Sequence, residues 1–170
     1  MCETARCGRH YPSGVVGFRT PFKKTPTVKH KPWYEKGLRF ECTTCGACCR
    51  SHGDYAHLYM VEEEVLGIAQ HLGLDPQTFR ERYCAEEDGW TVLQEGHEVC
   101  PFLGEDNRCQ VYPVRPMQCR SWPFWEENLA SREVWEGDVK ATCPGIGQGQ
   151  RFTREEVEDI ARRNEEWYEG

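Results

Sequence analysis

The sequence lacks long apolar stretches, and this absence excludes one class of protein. None of its apolar runs approaches the roughly 20 residues that a membrane-spanning helix needs. The first residues, Met1 to Cys7, contain no apolar core of the kind found in secretory signal peptides. We therefore expect a cytoplasmic protein with no membrane partner. In that reducing compartment, many cysteines indicate metal or redox chemistry rather than disulfides.

Familiar catalytic motifs are also missing. The chain contains no Ser–His–Asp pattern and no phosphate-binding loop, and its glycine-rich stretch Gly145–Gly149 follows no strand–turn–helix pattern. A thioredoxin-like enzyme would place a single Cys-x-x-Cys in a βαβ unit, and that context is absent. These absences favour a protein without enzymatic activity.

Charge of either sign is unevenly spread. Residues 1–41 contain nine Lys or Arg and three acidic residues, a net charge of +6; the whole chain carries −7, so the remainder carries −13. The acidic remainder argues against a broad nucleic-acid-binding surface. The basic segment shows no helical or strand period, which favours a solvated tail over an arm that binds a nucleic acid or an acidic protein. A protein partner is left open.

Apolar residues are scarce as well, at 38% of the chain with a mean hydropathy of −0.76. Because a small core usually needs a covalent or metal staple, we predict a small, loop-rich, metal-stapled α+β domain with several short helices and few strands. The predicted segments are an irregular basic leader at 1–37, a cysteine-cluster metal-binding domain at 38–150, and a C-terminal helix at 151–170 that packs on or extends the domain.

Local signals predict the clearest helices. Apolar residues within 62–73 recur at helical spacing, and Asp75-Pro76 is typical of an N-cap followed by proline at the first helical position. Thr153 and Glu156 form a capping box that begins the last helix. Weaker predictions are a strand at 90–95, loops with one short helical turn at 96–125, a helix at 126–136 and a loop at 145–150.

Cysteine, by contrast, is abundant: the chain has 11, and four fall in the run Cys42-Thr-Thr-Cys45-Gly-Ala-Cys48-Cys49. Cys-x-x-Cys turns bring two soft thiolates onto one zinc or iron ion, and this triple repeat is also that of bacterial ferredoxin loops. Adjacent side chains tend to point apart, so the pair Cys48 and Cys49 suggests two metal centres or one polynuclear centre.

Four later cysteines extend this run to a set of eight. Cys100 and Cys109 bracket a short polar loop, which favours them as ligands. Cys119 and Cys143 are lone thiols, for which spacing alone does not separate ligation from core packing. Zinc in a four-cysteine tetrahedron and a 4Fe-4S cluster both fit such thiolates, so the metal stays open.

Other residues near the thiols receive weaker interpretations. Three arginines lie near the predicted ligands in sequence, namely Arg50, Arg115 and Arg120. Their side chains either offset the negative charge of the thiolates or face solvent. Three aromatic residues are expected to cover the site, namely Trp122, Phe124 and Trp125. We interpret Cys84 as a packed thiol, Cys2 and Cys7 as free thiols, and His52, His57 and His97 as hydrogen-bonded or solvated rather than ligating.

Five ordered segments resemble the YkgJ family of bacterial cysteine-cluster proteins, which carry a zinc- or iron-chelating domain. They are Phe40–Arg50, Cys100–Leu103, Cys109–Tyr112, Arg115–Arg120 and Trp122–Phe124. The resemblance runs from about Phe40 to about Gly149, and it implies that Cys119 and Cys143 are ligands. It supplies no reaction, although a flagellin lysine methylase resembles the family in its cysteine cluster.

The sequence therefore favours a metal-binding protein that chelates zinc or iron. The alternative is an iron–sulfur protein that transfers electrons or assists a methylase-like protein modification. The predicted ligands are Cys42, Cys45, Cys48, Cys49, Cys100, Cys109, Cys119 and Cys143.

Overall fold

The computed structural model describes residues 31–50, 57–94 and 99–169, which form short helices and two small antiparallel sheets. The chain divides into two units, Met1–Lys31 and Pro32–Gly170, and every element described below belongs to the second. The predicted α+β class is confirmed. Within the described ranges, no helix is both long and apolar enough to cross a membrane.

One sheet joins the two ends of the domain. Strand β1 (Leu38–Phe40) pairs antiparallel with β5 (Gln150–Phe152), and Leu38 lies opposite Phe152. Neither strand has a clear sequence signal, because each is three residues long and its partner is more than a hundred residues away.

The second sheet has the strand order β2-β4-β3, formed by Tyr59–Met60, Trp90–Leu93 and Cys84–Glu87. Strands β3 and β4 are joined by Asp88 and Gly89, whose φ angles of 50° and 85° suit a two-residue hairpin turn. Strand β4 lies within the segment predicted as a strand at 90–95.

The first two helices begin and end where their capping residues predict. Helix α1 (Glu62–Leu72) ends at Gly73, which takes a left-handed φ of 68° that costs a glycine little. Helix α2 (Pro76–Tyr83) begins after Asp75, whose carboxylate accepts two backbone N–H groups of the first turn.

The next stretch is more helical than predicted. A 3-10 turn at Tyr112–Val114 and helix α3 (Met117–Ser121) lie in the segment predicted as loops with one helical turn. The helix predicted at 126–136 is interrupted at Ser131 and continues to Thr142. Its parts are α4 (Glu126–Leu129), α5 (Arg132–Val134), a π-helical turn (Trp135–Val139) and α6 (Lys140–Thr142).

Helix α7 (Arg154–Glu169) closes the domain, and its capping box is formed as predicted. Glu156 Oε2 accepts the backbone N–H of Thr153 at 2.7 Å, and Thr153 Oγ1 accepts the N–H of Glu156 at 3.2 Å. Two polar groups at the helix start are thereby satisfied by each other.

Apolar side chains pack into two separate cores. The first core consists of Leu38, Phe124, Leu129, Trp135, Val139, Cys143, Ile146, Val157 and Ala161. The second core consists of Met60, Val65, Ile68, Ala69, Phe79, Phe102 and Val111. Cys143 belongs to the first core, whereas Cys100 and Cys109 pack against the second. The cysteines are thus shared between the two cores.

Residues just before β1 also pack on the first core, although the sequence places them in the leader. The indole N–H of Trp33 donates to the carbonyl of Leu129 at 2.8 Å, and the guanidinium of Arg132 donates to the carbonyl of Trp33 at 3.1 Å. These contacts join segments about a hundred residues apart, so no local periodicity reveals them.

The turn after Cys143 is attached to the chain beside β1. The backbone N–H of Glu41 donates to the carbonyl of Gly145 at 3.2 Å. A Cβ at Gly145 would lie 2.0 Å from the carbonyl oxygen of Glu41, closer than any real contact. Only glycine permits this approach, which brings Cys143 towards the loop that carries Cys42.

We expect Gly145→Ala to lower the free energy of unfolding by about 2 kcal/mol or more, because the two backbones must separate. Gly67→Ala is the matched control: Gly67 lies in α1 with nothing within 4 Å of an added Cβ. Alanine there should stabilise the helix by about 0.5–1 kcal/mol. Urea unfolding of both variants measures the difference, and equal midpoints would contradict the close approach.

Candidate metal centre

The first cysteine run forms a tight loop after β1. Thr44 and Gly46 both take left-handed φ angles, 54° and 71°, and turn the chain before a 3-10 helix at Ala47–Cys49. The side chains of Cys42, Cys45 and Cys48 are exposed on the described surface, whereas that of Cys49 is half-buried. The loop therefore presents several thiols outward within a short span.

The adjacent thiols do not point apart. The sulfurs of Cys48 and Cys49, which both lie in the 3-10 turn, are 4.0 Å from each other. Two sulfurs on one tetrahedral zinc, with bonds of about 2.3 Å, lie roughly 3.8 Å apart. This spacing is compatible with a shared ion, so the steric reason for assigning the two thiols to different centres does not apply.

A second loop is attached to the first through its backbone. The N–H of Cys100 donates to the carbonyl of Cys49 at 2.7 Å, and Arg50 pairs with Val99 in an isolated β-bridge. A further bridge joins Leu103 to Cys109. Cys100 and Cys109 are therefore held beside the first run although they lie about fifty residues away in sequence.

Helices supply the two remaining thiols. Cys119 lies within α3, and Cys143 directly follows α6. A cavity of about 90 Å³ brings thiols from three separate segments together, and the cysteines that line it are Cys42, Cys45, Cys48, Cys119 and Cys143. Cys49, Cys100 and Cys109 do not line this cavity but adjoin it.

The thiols that line the cavity affect the pKa values of one another and of the cysteines nearby. Burial raises the pKa of the Cys119 thiol to about 12, and negative charge on Cys100, Cys48 and Cys109 raises it further, whereas Arg115 lowers it. Burial is also the main cause of the raised pKa values of Cys100, Cys109 and Cys143, and charge on Cys48 contributes to each. Cys48 is therefore within electrostatic reach of four other thiols from the distant segments.

Backbone N–H groups already point at three of the sulfurs. In each case the donor belongs to the residue two positions later. The N–H favours the thiolate and so lowers the thiol pKa, although burial raises that pKa by more. The pairs of sulfur and donor are Cys100 with Phe102, Cys109 with Val111, and Cys143 with Gly145. Such donors are what a metal-bound thiolate needs around it.

Trp122 adds a side-chain donor. Its indole nitrogen is buried and has no hydrogen-bond partner in the part of the chain that the structure describes. The same N–H nevertheless lies near enough to the Cys143 sulfur to lower the pKa of that thiol. A buried donor facing a sulfur fits a site in which Cys143 is a thiolate.

Two of the three candidate cations line the cavity. Arg115 lies 3.6 Å above the ring of Tyr112 and donates to the Tyr112 carbonyl, while Arg120 forms an ion pair with Glu64 at 3.7 Å. Arg50 does not line it. Positive charge therefore borders the thiols on the side of α3.

The aromatic prediction holds for one residue of three. Trp122 lines the cavity, whereas Phe124 is buried in the first core and Trp125 donates to Ser121 Oγ at 2.9 Å. Phe40 and Tyr112 line the cavity without having been predicted to do so. Their positions in the family-like segments Phe40–Arg50 and Cys109–Tyr112 are the signal that could have identified them.

The thiols converge without yet forming a closed ligand set. Among residues 31–50, 57–94 and 99–169, no three Cys, His, Asp or Glu side chains are placed to hold a metal ion. His57 lies 3.4 Å from Glu87, and Cys84 packs against the second core, away from the thiol cavity. Two of the histidines, His52 and His97, and two of the cysteines, Cys2 and Cys7, lie outside the described residues.

Helix α3 is held at both ends, which positions Cys119. Glu64 Oε1 accepts the backbone N–H of Met117 at 2.6 Å, while its Oε2 accepts the N–H of Val61 at 3.1 Å. At the other end, Ser121 Oγ donates to Oδ1 of the buried Asn164 at 2.7 Å. One buried carboxylate thus connects α1 to the helix that carries a candidate ligand.

We expect Glu64→Gln to cost about 2 kcal/mol of stability, since one amide oxygen cannot replace two charged acceptors. Glu63→Gln is the matched control, because Glu63 is exposed in the same first turn of α1. Urea unfolding followed by circular dichroism measures both. Equal midpoints for the two variants would show that the bridge to α3 carries little energy.

Comparison with known proteins agrees with this geometry. A family model described as "CxxCxxCC: Putative zinc- or iron-chelating domain" matches residues 41–144. The chain is similar to the Uncharacterized protein MJ0661 of Methanocaldococcus jannaschii, with 28% identity over 93 residues, which cover 54% of this chain and 48% of the relative. The chain therefore spans about half the length of that curated relative. No solved structure matches.

Proposed function

The chain belongs to the CxxCxxCC family of zinc- or iron-chelating domains, and from this membership we propose that it holds its metal through eight cysteine thiolates. They are Cys42, Cys45, Cys48, Cys49, Cys100, Cys109, Cys119 and Cys143. The observation that carries the proposal is the cavity at which five of these thiols, from three distant segments, converge. The other three are included because Cys49 adjoins Cys48 and because Cys48 acts electrostatically on Cys100 and Cys109.

The surroundings of the sulfurs support ligation over simple packing. A cysteine that only fills space needs no donor, yet three of these sulfurs face a backbone N–H and Cys143 also faces an indole N–H. Four thiolates around one zinc would carry a formal charge of about −2. Arg115 and Arg120 border the cavity and would offset part of that charge.

Iron bound as an iron–sulfur cluster is the second candidate. It is supported by Cys48, whose charge raises the pKa of the Cys100, Cys119 and Cys143 thiols, since a polynuclear cluster needs ligands that lie close together. In that case the protein would transfer electrons or assist a modification reaction. The chain's own contribution would be the same: thiolate ligands, N–H donors and two nearby arginines.

Purification without oxygen separates the two candidates. We expect stoichiometric zinc or iron in the protein, measured by elemental analysis together with acid-labile sulfide and the visible spectrum. A colourless protein with zinc and no sulfide eliminates the iron–sulfur candidate. A brown protein with sulfide eliminates the zinc candidate, and a protein that retains neither metal contradicts the proposal itself.

Single substitutions test the ligand set. We expect Cys48→Ser and Cys49→Ser each to lower the bound metal, whereas Cys84→Ser, a matched control in β3, leaves it unchanged. A loss of about half the metal from each variant indicates two four-coordinate centres, and complete loss from either one indicates a single polynuclear centre. Full metal content in Cys49→Ser would contradict the eight-cysteine set.

A further inference from the structure

A second cavity lies on the three-stranded sheet, and no cysteine lines it. It has a volume of about 350 Å³ and is lined by Tyr59, Glu87, Asp88, Trp90 and Tyr168. Tyr59 comes from β2, the next three from the β3–β4 hairpin, and Tyr168 from the last turn of α7. None of these residues lines the thiol cavity.

Three aromatic rings make up most of its wall. Their centroids are 5.7 Å apart for Tyr59 and Trp90, 6.0 Å for Tyr59 and Tyr168, and 6.3 Å for Trp90 and Tyr168. The interplanar angles are 71°, 78° and 63°, so the rings stand steeply to one another. Rings at such angles, with centroids about 6 Å apart, can each face one cation about 4 Å away.

The remaining lining residues are both acidic. Glu87 is about half exposed and lies 3.4 Å from His57 Nδ1, and Asp88 has no hydrogen-bond or ion-pair partner among the described residues. No lysine or arginine lines the cavity. Two carboxylates and three aromatic side chains therefore line a space that no lysine or arginine lines.

The neighbourhood is acidic beyond the lining as well. Burial raises the pKa of Tyr168 to about 12, and the carboxylates of Glu127 and Glu165 contribute to that rise. Glu127 lies in α4 and Glu165 in α7, whereas Glu87 and Asp88 belong to the β3–β4 hairpin. Negative charge that acts on the cavity therefore comes from both helices as well as from the hairpin.

We propose that this second cavity binds an organic ammonium group, with the rings of Tyr59, Trp90 and Tyr168 facing the cation and Glu87 and Asp88 neutralising it. A purely apolar ligand would leave two carboxylates to be desolvated without gain, and an anion would be repelled. A metal ion is disfavoured because the aromatic walls supply no strong ligands. None of its lining residues lines the thiol cavity, so this is a second site.

The ammonium group has two common sources, a small quaternary amine and a lysine side chain. Nuclear magnetic resonance titration of the full chain uses choline and N-acetyl-lysine amide as probes. The uncharged isosteres 3,3-dimethylbutanol and N-acetyl-norleucine amide are their controls. We expect a saturable shift of the Trp90 indole N–H with the cations only, and the tighter of the two cations identifies the source.

Variants assign the binding to these residues. The double variant Glu87→Gln with Asp88→Asn, and the single variant Tyr168→Leu, should each weaken cation binding about fivefold or more. Glu155→Gln removes an exposed charge elsewhere on α7 and should bind as the natural protein does. Tyr168→Phe restores the ring that Tyr168→Leu removes, so it should recover most of the binding that the leucine variant loses. Circular dichroism checks that every variant remains folded.

Three results would overturn the proposal. One is the absence of a saturable shift with either cation, which would leave the rings as packing alone. Another is equal binding of the uncharged isosteres, which would show that the charge plays no part. The third is an unchanged affinity for the cations in the double variant Glu87→Gln with Asp88→Asn, provided that this variant is folded.

Discussion

The fold brings cysteine thiols from four stretches of chain within electrostatic reach of one another. Negative charge on Cys48 alone raises the pKa of four other thiols, so the ionised cluster is unfavourable until a cation neutralises it. A bound metal removes that repulsion and adds bonds. Structural zinc can contribute roughly 10–16 kcal/mol of apparent binding free energy, which exceeds the net stability of many small domains.

The packing of the chain explains why a staple at this place is effective. Each of the two cores is small, and the cysteines are divided between them. Cys143 is part of the first core, and Cys100 and Cys109 pack against the second. Few helices or strands connect the loops that carry the cysteines. Single backbone hydrogen bonds, such as that from the N–H of Cys100 to the carbonyl of Cys49, hold those loops together without a metal.

Features with local causes were predictable from the sequence. Asp75 and Thr153 cap helices within three residues of themselves, and both helices begin where these residues predict. Features with remote causes were not predictable. The pairing of Leu38 with Phe152 and the packing of Trp33 on Leu129 join segments about a hundred residues apart, so nothing in either segment reveals the other.

The candidate site shows the same division. The dense run Cys42 to Cys49 indicated metal by its composition, because thiols at that spacing have few other uses. The expectation that the adjacent thiols of Cys48 and Cys49 diverge was wrong, because their sulfurs lie 4.0 Å apart, and side-chain direction has no signal in the sequence. The second cavity gave no sequence signal at all, since its rings come from three elements that only tertiary packing brings together.

X-ray absorption at the metal edge measures whether sulfur atoms ligate the metal. The protein is purified without oxygen and its bound metal is measured in solution. We predict a first shell of sulfur only, at about 2.3 Å if the metal is zinc. A first shell composed mainly of nitrogen or oxygen would contradict the assignment of the cysteines as ligands.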